Sequence, residues 1–452
     1  MDNVFQALLN EAVDLHRAGD LTGAANRYNQ LLNNDPFNAG ILFLMGDIAV
    51  RQGANGVAIN LLSNSVSVKP HAEAYVALGC AYRAENMYEQ ACAAWDRAIA
   101  LEPSSAAYNN LASVYSDHGR PEKALGYVSQ ALKLEPESPN AKWNRALALL
   151  TQQRWPEAWR DHEHRFDARV QTVSTRRNLG CPVWDGKTPG LRIAVHGEQG
   201  VGDEVMFLSM LQDLIAMHKE VVVEVEPRLM DLVERSFGVA TYGNEAAMRA
   251  HEAPFDAVVP LGSLGMTFRQ ADEHFPGTPY LKPDPERVAY WRKRFCQEGG
   301  KKPIIGVAWQ GGAKETRIQQ RSINAKALDF CKRGTAVSLQ YGPHAEAEAR
   351  KNGFLFFPES TGGDLDEQAA MVAACDAIVT VAQTLVHLGG AIGIPTHVLT
   401  PLYSSWRYGQ KDKMVWYGSV QLHRQLKDGD WGHPLAEAKK AIDKLCREST
   451  KC

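Results

Sequence analysis

The sequence predicts an α-helical repeat solenoid followed by an α/β region of two lobes, and three observations carry that fold class. Pro36, Pro70, Pro103 and Pro136 close similar helical stretches at spacings of 34, 33 and 33 residues. Beyond residue 190, short apolar runs alternate with helical patterns, the signature of parallel sheets covered by helices. The segment "YLKPDPERVAYWRKRFCQEGGKKP", residues 280–303, has no strand pattern and divides those runs into two groups. The expected domains are 1–168, 169–290 and 291–452.

A chain of 452 residues is too long for one core, and 45% hydrophobic residues is ordinary for globular domains. A net charge of −3 lacks the basic excess that non-specific nucleic-acid binding requires, so no nucleic-acid partner is expected. The start "MDNVFQALLNEAVDLHRAGD" has no basic stretch followed by an apolar one, and no apolar run reaches the roughly 18 residues of a spanning helix. The expected location is cytoplasmic. The eight cysteines form no C-x-x-C pair and no zinc-like cluster with histidine, so they read as structural thiols and no metal site is expected.

In the first third, the 33–34-residue period is the tetratricopeptide one. Gly46, Gly79, Ala112 and Ala146 recur at one place and Ala58, Ala91 and Ala124 at another, small residues that let paired helices pack closely. Gly19, Gly53, Asn86 and Gly119 occupy the turn between the helices and tolerate its left-handed conformation. Four repeats and a degenerate fifth follow, stacked so that the first helices line a concave surface suited to extended polypeptide ligands. Asn110 and Asn144, at matching places, either hydrogen-bond a bound peptide backbone or stand as solvated polar positions. The array ends at "RWPEAWRDHEHRF", where Trp155 and Trp159 share one helical face and read as a cap against the next domain.

In the remainder, the expected strands are "LRIAV", "VVVEV" and "DAVVPL", then "IIGVAW", "TAVSLQ", "FLFF", "AIVTV" and "THVLT". Ligands of such sheets bind beyond the strand C-termini. There stands "GEQGVGDEVMF", residues 197–207, whose Gly200 and Gly202 let a ligand approach the backbone while Asp203 and Glu204 stand at a helix start. One acid there is explained as a helix cap, worth about 0.3–1 kcal/mol. Val205 replaces the third glycine of G-x-G-x-x-G, and no phosphate-binding G-x-x-x-x-G-K-[ST] occurs, so neither a dinucleotide oxidoreductase nor a P-loop ATPase is supported. The loop "VAWQGGAKETRIQQRSI" offers Lys314, Arg317 and Arg321 to phosphate or to solvent. Gln383 and Thr384 lie at the turn of "AIVTVAQTLVHLGGAIGIP", with His387 one helical turn on, either a ligand or a core histidine. In "PLYSSWRYGQKDKMVWYG", Trp406, Arg407 and the neighbouring rings either close over a nucleotide base or fill the core.

Taken in order, "WDG", "GEQGVGDEVMF", "GVAWQGG", "VSLQYG", "LDEQAAMVAACDAIVTV" with "HLGGAIGIP", and "WRYG" resemble the GT-B glycosyltransferases related to the ADP-heptose lipopolysaccharide heptosyltransferases. With the repeats in front, the chain resembles bacterial protein glycosyltransferases, several of which modify flagellin. The resemblance implies two Rossmann-like lobes and direct, metal-independent displacement at an anomeric carbon with inversion. It implies Asp203 as the acceptor-activating base with Gly200, Gly202 and Glu204 on the acceptor side, where the repeat positions also put Asn110 and Asn144, and no cofactor beyond the nucleotide-sugar donor. It also implies a donor site formed by Gln310, Lys314, Arg317, Arg321, Gln340, Tyr341, Gln383, Thr384, His387, Trp406 and Arg407. The family pattern has an Asp–Thr pair where this chain has Ala382 and Gln383, which argues against ADP-heptose; the expected donor is a CMP- or UDP-linked nonulosonic acid or hexosamine. "DLD" at 364–366 resembles a metal-binding D-x-D of another glycosyltransferase class but reads as a helix start.

The expected activity is transfer of a sugar to Ser or Thr of a protein held by the repeats, with flagellin as the acceptor. Two alternatives stay open: transfer to a glycan or lipid-linked sugar in envelope polysaccharide synthesis, and a non-catalytic scaffold that has lost transfer.

Overall fold

The computed structural model describes residues 2–170, 174–300, 302–312, 318–361 and 363–449. Two compact units divide the chain, Met1–Arg145 and Ala146–Cys452.

The first unit is helical throughout: Asp2–Ala18, Leu21–Asn34, Ala39–Arg51, Asn55–Val68, Ala72–Ala84, Tyr88–Leu101, Ser105–Asp117 and Pro121–Leu134, with Pro139–Thr151 continuing past its end. Gly19, Gly53, Asn86 and Gly119 take φ of +87°, +73°, +61° and +61°, and each ends the first helix of a pair. The small residues act as read. A Cβ on Gly46 would fall 2.5 Å from Leu62 Cγ, and one on Gly79 would fall 2.3 Å from Trp95 Nε1. Buried Trp95 donates that N–H to Val76 O at 3.1 Å, so its ring can bury fully without an orphaned donor.

The second unit takes in the end of the helix Pro139–Thr151 and then the helix Trp155–His162, whose two tryptophans are spent on it. Trp159 Nε1 donates to Arg269 O at 2.7 Å, and its ring lies where a Cβ on Gly265 would come within 2.6 Å. Trp155 Nε1 donates to Asp272 Oδ1 at 2.8 Å. This packing explains why compactness divides the chain before residue 168.

Two parallel sheets with flanking helices follow. The first comprises β1 (Arg192–His196), β2 (Glu220–Glu224), β3 (Ala240–Tyr242) and β4 (Ala257–Pro260) in the order β3-β2-β1-β4. The second comprises β5 (Ile304–Ala308), β6 (Thr335–Ser338), β7 (Ala377–Val381), β8 (Thr396–Thr400) and β9 (Val420–Arg424) in the order β6-β5-β7-β8-β9. β5 and β7 are buried at every residue, which is why they read as continuous apolar runs. Between the sheets runs the helix Pro285–Gly299.

One expected strand is not formed, and two strands had no expectation. "FLFF" contributes one bridge, Leu355 to Val337, and no strand, because it turns at Pro358. β3 is only three residues long, too short for a periodic signal. β9 is an edge strand whose Gln421 and Arg424 are partly exposed, and its mixed polarity hides it.

Candidate functional site

The loop after β1 is held from three sides. Gly197 N–H donates to Glu224 O at 2.7 Å. Glu198 accepts from Arg165 Nε at 2.5 Å and Nη2 at 2.6 Å and from Gly262 N–H at 3.0 Å, and neither charged side chain of that pair is exposed. A fully buried ion pair persists only with such complete hydrogen bonding. Gln199 takes φ +63°, a conformation costing a non-glycine residue about 1–2 kcal/mol. Its Oε1 accepts from Arg407 Nη2 at 3.1 Å.

Gly200 then caps the helix Val201–Phe207 without a side-chain bond, so neither acid is the cap. This corrects the expectation that one of the two acids is the cap, and Glu204 is also turned away from a place beside an acceptor. Its buried side chain turns back under the loop, where Oε2 accepts from Glu226 N–H at 2.8 Å and a Cβ on Gly197 would lie 2.5 Å from Oε1. Burial pushes the Glu204 carboxyl up to about 7. Asp203 points elsewhere. Arg407 Nη2 donates to its Oδ2 at 2.8 Å and Arg407 Nε to its Oδ1. Burial pulls the Arg407 guanidinium down, but Asp203 more than offsets this and holds it above its ordinary value.

Gly202 faces the helix Thr384–Ile392. A Cβ there would lie 3.2 Å from His387 Cδ2 and 3.5 Å from Thr384 Oγ1, so the glycine brings the β1 loop against the turn after β7. His387 is buried, its Nδ1 3.1 Å from Tyr417 Oη, and burial pulls its pKa to about 4, so it is neutral at physiological pH. Tyr280 donates its hydroxyl to Val205 O at 2.6 Å, and its oxygen lies 3.5 Å from Tyr417 Oη. At the start of this helix, buried Gln383 donates through Nε2 to Thr380 Oγ1 at 3.0 Å, while its Oε1 has no partner among the described residues. Arg321 Nη1 donates to Ala382 O at 2.9 Å. Tyr341 is partly exposed, with its hydroxyl 2.9 Å from where a Cβ on Gly312 would stand. Gln310 is exposed at the end of β5.

Other expected site residues are engaged elsewhere. Gln340 is a clamp: Oε1 accepts from Trp309 N–H at 3.0 Å and Gln310 N–H at 2.9 Å, and Nε2 donates to Tyr341 O at 2.9 Å. These internal bonds use the amide that was expected on the donor. Trp406 is 6% exposed, with Trp159, His162, Phe207 and Trp416 at centroid distances of 6.2–6.5 Å. It fills the core and has no open face for a base. Asn144 is buried and donates to Asn109 Oδ1 at 2.8 Å within the solenoid, so its amide is not presented to a ligand; Asn110, half-buried, contacts Cys80 Sγ at 3.5 Å. Asp364 caps its helix, accepting from Asp366 N–H at 2.9 Å and Glu367 N–H at 3.2 Å. Lys314 and Arg317 lie outside the described residues.

The tetratricopeptide repeat family matches residues 9–65, 72–105 and 109–162. The N-terminal helices are tetratricopeptide repeats. Protein FlbA of Caulobacter vibrioides is 29% identical over 331 residues, which are 66% of this chain and 54% of that protein. The chain thus spans about half the length of the curated relative it matches. Among solved structures, MamA is similar over 34% of this chain and 91% of its own, with 28% identity and a TM-score of 0.32. A thermophilic TPR protein of Thermus thermophilus is similar over 37% of this chain and 93% of its own, with 22% identity and a TM-score of 0.32. No described helix is long and apolar enough to cross a membrane.

Five residues that shape the site escaped the sequence reading: Gln199, the paired Arg165 and Glu198, Tyr417 and Arg424. Gln199 lay inside the quoted loop, between two glycines, and a residue forced to positive φ there was the available signal. Arg165 and Glu198 are 33 positions apart, with nothing local to link them. Arg424 donates to Tyr408 O at 2.7 Å, Gly409 O at 2.9 Å, Lys411 O at 2.7 Å and Ser404 Oγ at 3.2 Å, and so shapes the loop that carries Arg407.

Proposed function

We propose that the chain is a glycosyltransferase of GT-B type that moves a sugar from a nucleotide-sugar to a Ser or Thr hydroxyl of a protein acceptor bound by the tetratricopeptide repeats. Flagellin is the acceptor this reading favours, with a CMP- or UDP-linked nonulosonic acid or hexosamine as donor. One observation carries the reading: Asp203, from the turn after β1, meets Arg407 and lies beside the turn after β7, where Gln383 keeps a buried carbonyl oxygen without a partner among the described residues.

In the reaction, the acceptor oxygen attacks the anomeric carbon as its proton passes to the Asp203 carboxylate. The bond from that carbon to the phosphate oxygen breaks, and its electron pair leaves on the phosphate. Asp203 acts as base only when Arg407 gives it up. The anionic donor is the group that draws the guanidinium away, so donor binding both orients the phosphate and frees the base. Arg321 and the N-terminus of the Thr384–Ile392 helix supply further positive potential for the leaving phosphate. Neutral His387 adds no charge beside Asp203.

The test is transfer to a co-expressed flagellin, read by intact mass, for Asp203→Asn and Asp203→Ala. Both variants should lose transfer, and unchanged glycosylation in either removes Asp203 as the base. A thermal-shift panel of CMP, UDP, GDP and ADP identifies the donor nucleotide, because only a ligand of the native state raises the melting temperature. The scaffold reading draws on the same geometry, since Ala382 replaces an acid and Arg407 occupies Asp203. A panel without any shift favours it.

A further inference from the structure

Arg165 commits every N–H of its guanidinium to the surroundings of the turn after β1. Nε and one Nη2 hydrogen go to Glu198, the other Nη2 hydrogen to Ser263 Oγ at 2.9 Å, and Nη1 to Glu163 Oε1 at 2.8 Å and His162 O at 2.9 Å. Ser263 gives its own proton to Glu163 Oε1 at 2.7 Å, so toward Arg165 its oxygen is the acceptor. The guanidinium carbon stands 4.1 Å from the Phe166 ring centroid. Room for the pair comes from Gly262, just after β4, where a Cβ would stand 2.8 Å from Glu198 Oε1. Glu198 is thereby pinned both to the turn after β4 and to the 162–166 segment, which immediately follows the helix Trp155–His162.

A buried ion pair adds little net stability, because desolvation offsets its attraction; a two-point pair does fix distance and orientation. The residue fixed here stands one step before Gln199, whose φ of +63° is uncommon for glutamine. Two connections run from that turn to Asp203. Through the backbone, Gly200 O accepts from Asp203 N–H at 2.8 Å and Glu204 N–H at 3.1 Å, so the turn decides where the helix starts. Through the side chain, Gln199 Oε1 accepts from Arg407 Nη2, the same nitrogen that donates to Asp203 Oδ2. Glycine at position 199 would take the conformation without strain but would leave Arg407 without that acceptor.

We propose that Arg165, acting through Glu198, is a positioning residue for the transfer site: it holds the Gln199 turn so that the amide meets Arg407 and Arg407 meets Asp203. The consequence for rate rests on the glycosyl-transfer reading, and the consequence for Arg407 rests on the geometry alone.

The experiment uses the full chain and two variants. Arg165→Lys keeps the buried charge but loses the two-point geometry, and Gln199→Gly keeps the pair, relaxes the backbone and removes the amide. If Arg165→Lys does not fold, Glu198→Asp takes its place, keeping the charge on a shorter side chain. One readout is amide exchange at Tyr408 and Gly409, whose N–H groups donate to Ser405 O and Trp406 O at 3.0 Å. The other is transfer to co-expressed flagellin, followed over time by intact mass. Each variant should exchange those two amides about tenfold faster while β5 and β7 exchange as in wild type, and should transfer about tenfold more slowly. A pair that only holds its own surroundings would not move amides more than 200 positions further along the chain. Wild-type exchange at Tyr408 and Gly409 in Gln199→Gly, or in the folded variant of the pair, overturns the proposal. If exchange rises as expected but the wild-type chain transfers no sugar, the positioning of Arg407 stands and the transfer reading falls. If the wild-type chain transfers sugar and the variants match its rate, the positioning role falls and the transfer reading stands.

Discussion

Arg407 grips Asp203 from 204 positions further along the chain, Nε and Nη2 each donating to one carboxylate oxygen. The contact ties the first turn of the helix after β1 to the loop after β8. It makes the environment of Asp203 a property of both sheets.

Removal of Arg407 strands a carboxylate whose side chain is only 13% exposed. Arg407→Ala should therefore cost about 1–3 kcal/mol, seen as a lower urea midpoint at unchanged m value. Arg407→Lys restores charge without the two-point geometry and should fall between the two. A wild-type midpoint for Arg407→Ala would show that the pair is neutral to stability.

Glu204 sets a pH dependence. Its folded pKa is raised to about 7, above the ordinary 4.5, so between those values the native state holds the proton more tightly than the unfolded chain. Stability is then highest below about pH 4.5, falls as pH rises to about 7 and is flat beyond, a loss of about 3 kcal/mol from this group. Glu204→Gln should remove that component and be more stable than wild type at pH 8, as measured by denaturant melts across the range. An unchanged slope in the variant would assign the effect to other groups.

Gly390 tests how the second sheet seats its helix. A Cβ there would fall 2.3 Å from Tyr417 Cγ, a ring that cannot fold away. Gly390→Ala should destabilise by about 1–3 kcal/mol despite a helix-propensity gain of about 1 kcal/mol, because overpacking dominates. Gly126→Ala, in the helix Pro121–Leu134 with nothing within 4 Å, is the control and should gain about 0.5–1 kcal/mol.

Arg424 makes its hydrogen bonds mostly to backbone carbonyls of the 408–411 loop, so its loss should be felt there first. Arg424→Gln should speed amide exchange across residues 404–411 ahead of the sheet strands. In a transfer assay it should lower kcat more than it alters donor KM, because it positions Arg407 without itself touching donor. Exchange unchanged in that loop would remove Arg424 as its clamp.

The repeat array was legible because each of its determinants is local. Proline spacing, small residues at fixed places and left-handed turn residues all act within one period, and Gly46, Gly79 and Asn86 behave in three dimensions as their positions imply. Most strands were legible for a related reason, since β5 and β7 are buried at every residue and are apolar but for Thr380. The short β3 and the half-exposed β9 lacked that signal. Site residues were harder. The turns at strand ends were found, but Gln340 and Trp406 look like ligand contacts until the bonds and rings that occupy them are seen.

By itself, then, the sequence determined the period of the solenoid, the parallel α/β character of the rest, and which turns stand at strand ends, because propensity and hydrophobic period are set within a few residues. Only the tertiary structure decided which way two adjacent acids point. Asp203 meets Arg407, and Glu204 turns under Gly197 toward Glu226, because partners brought from far along the chain, not the neighbouring residue, fill the space on either side.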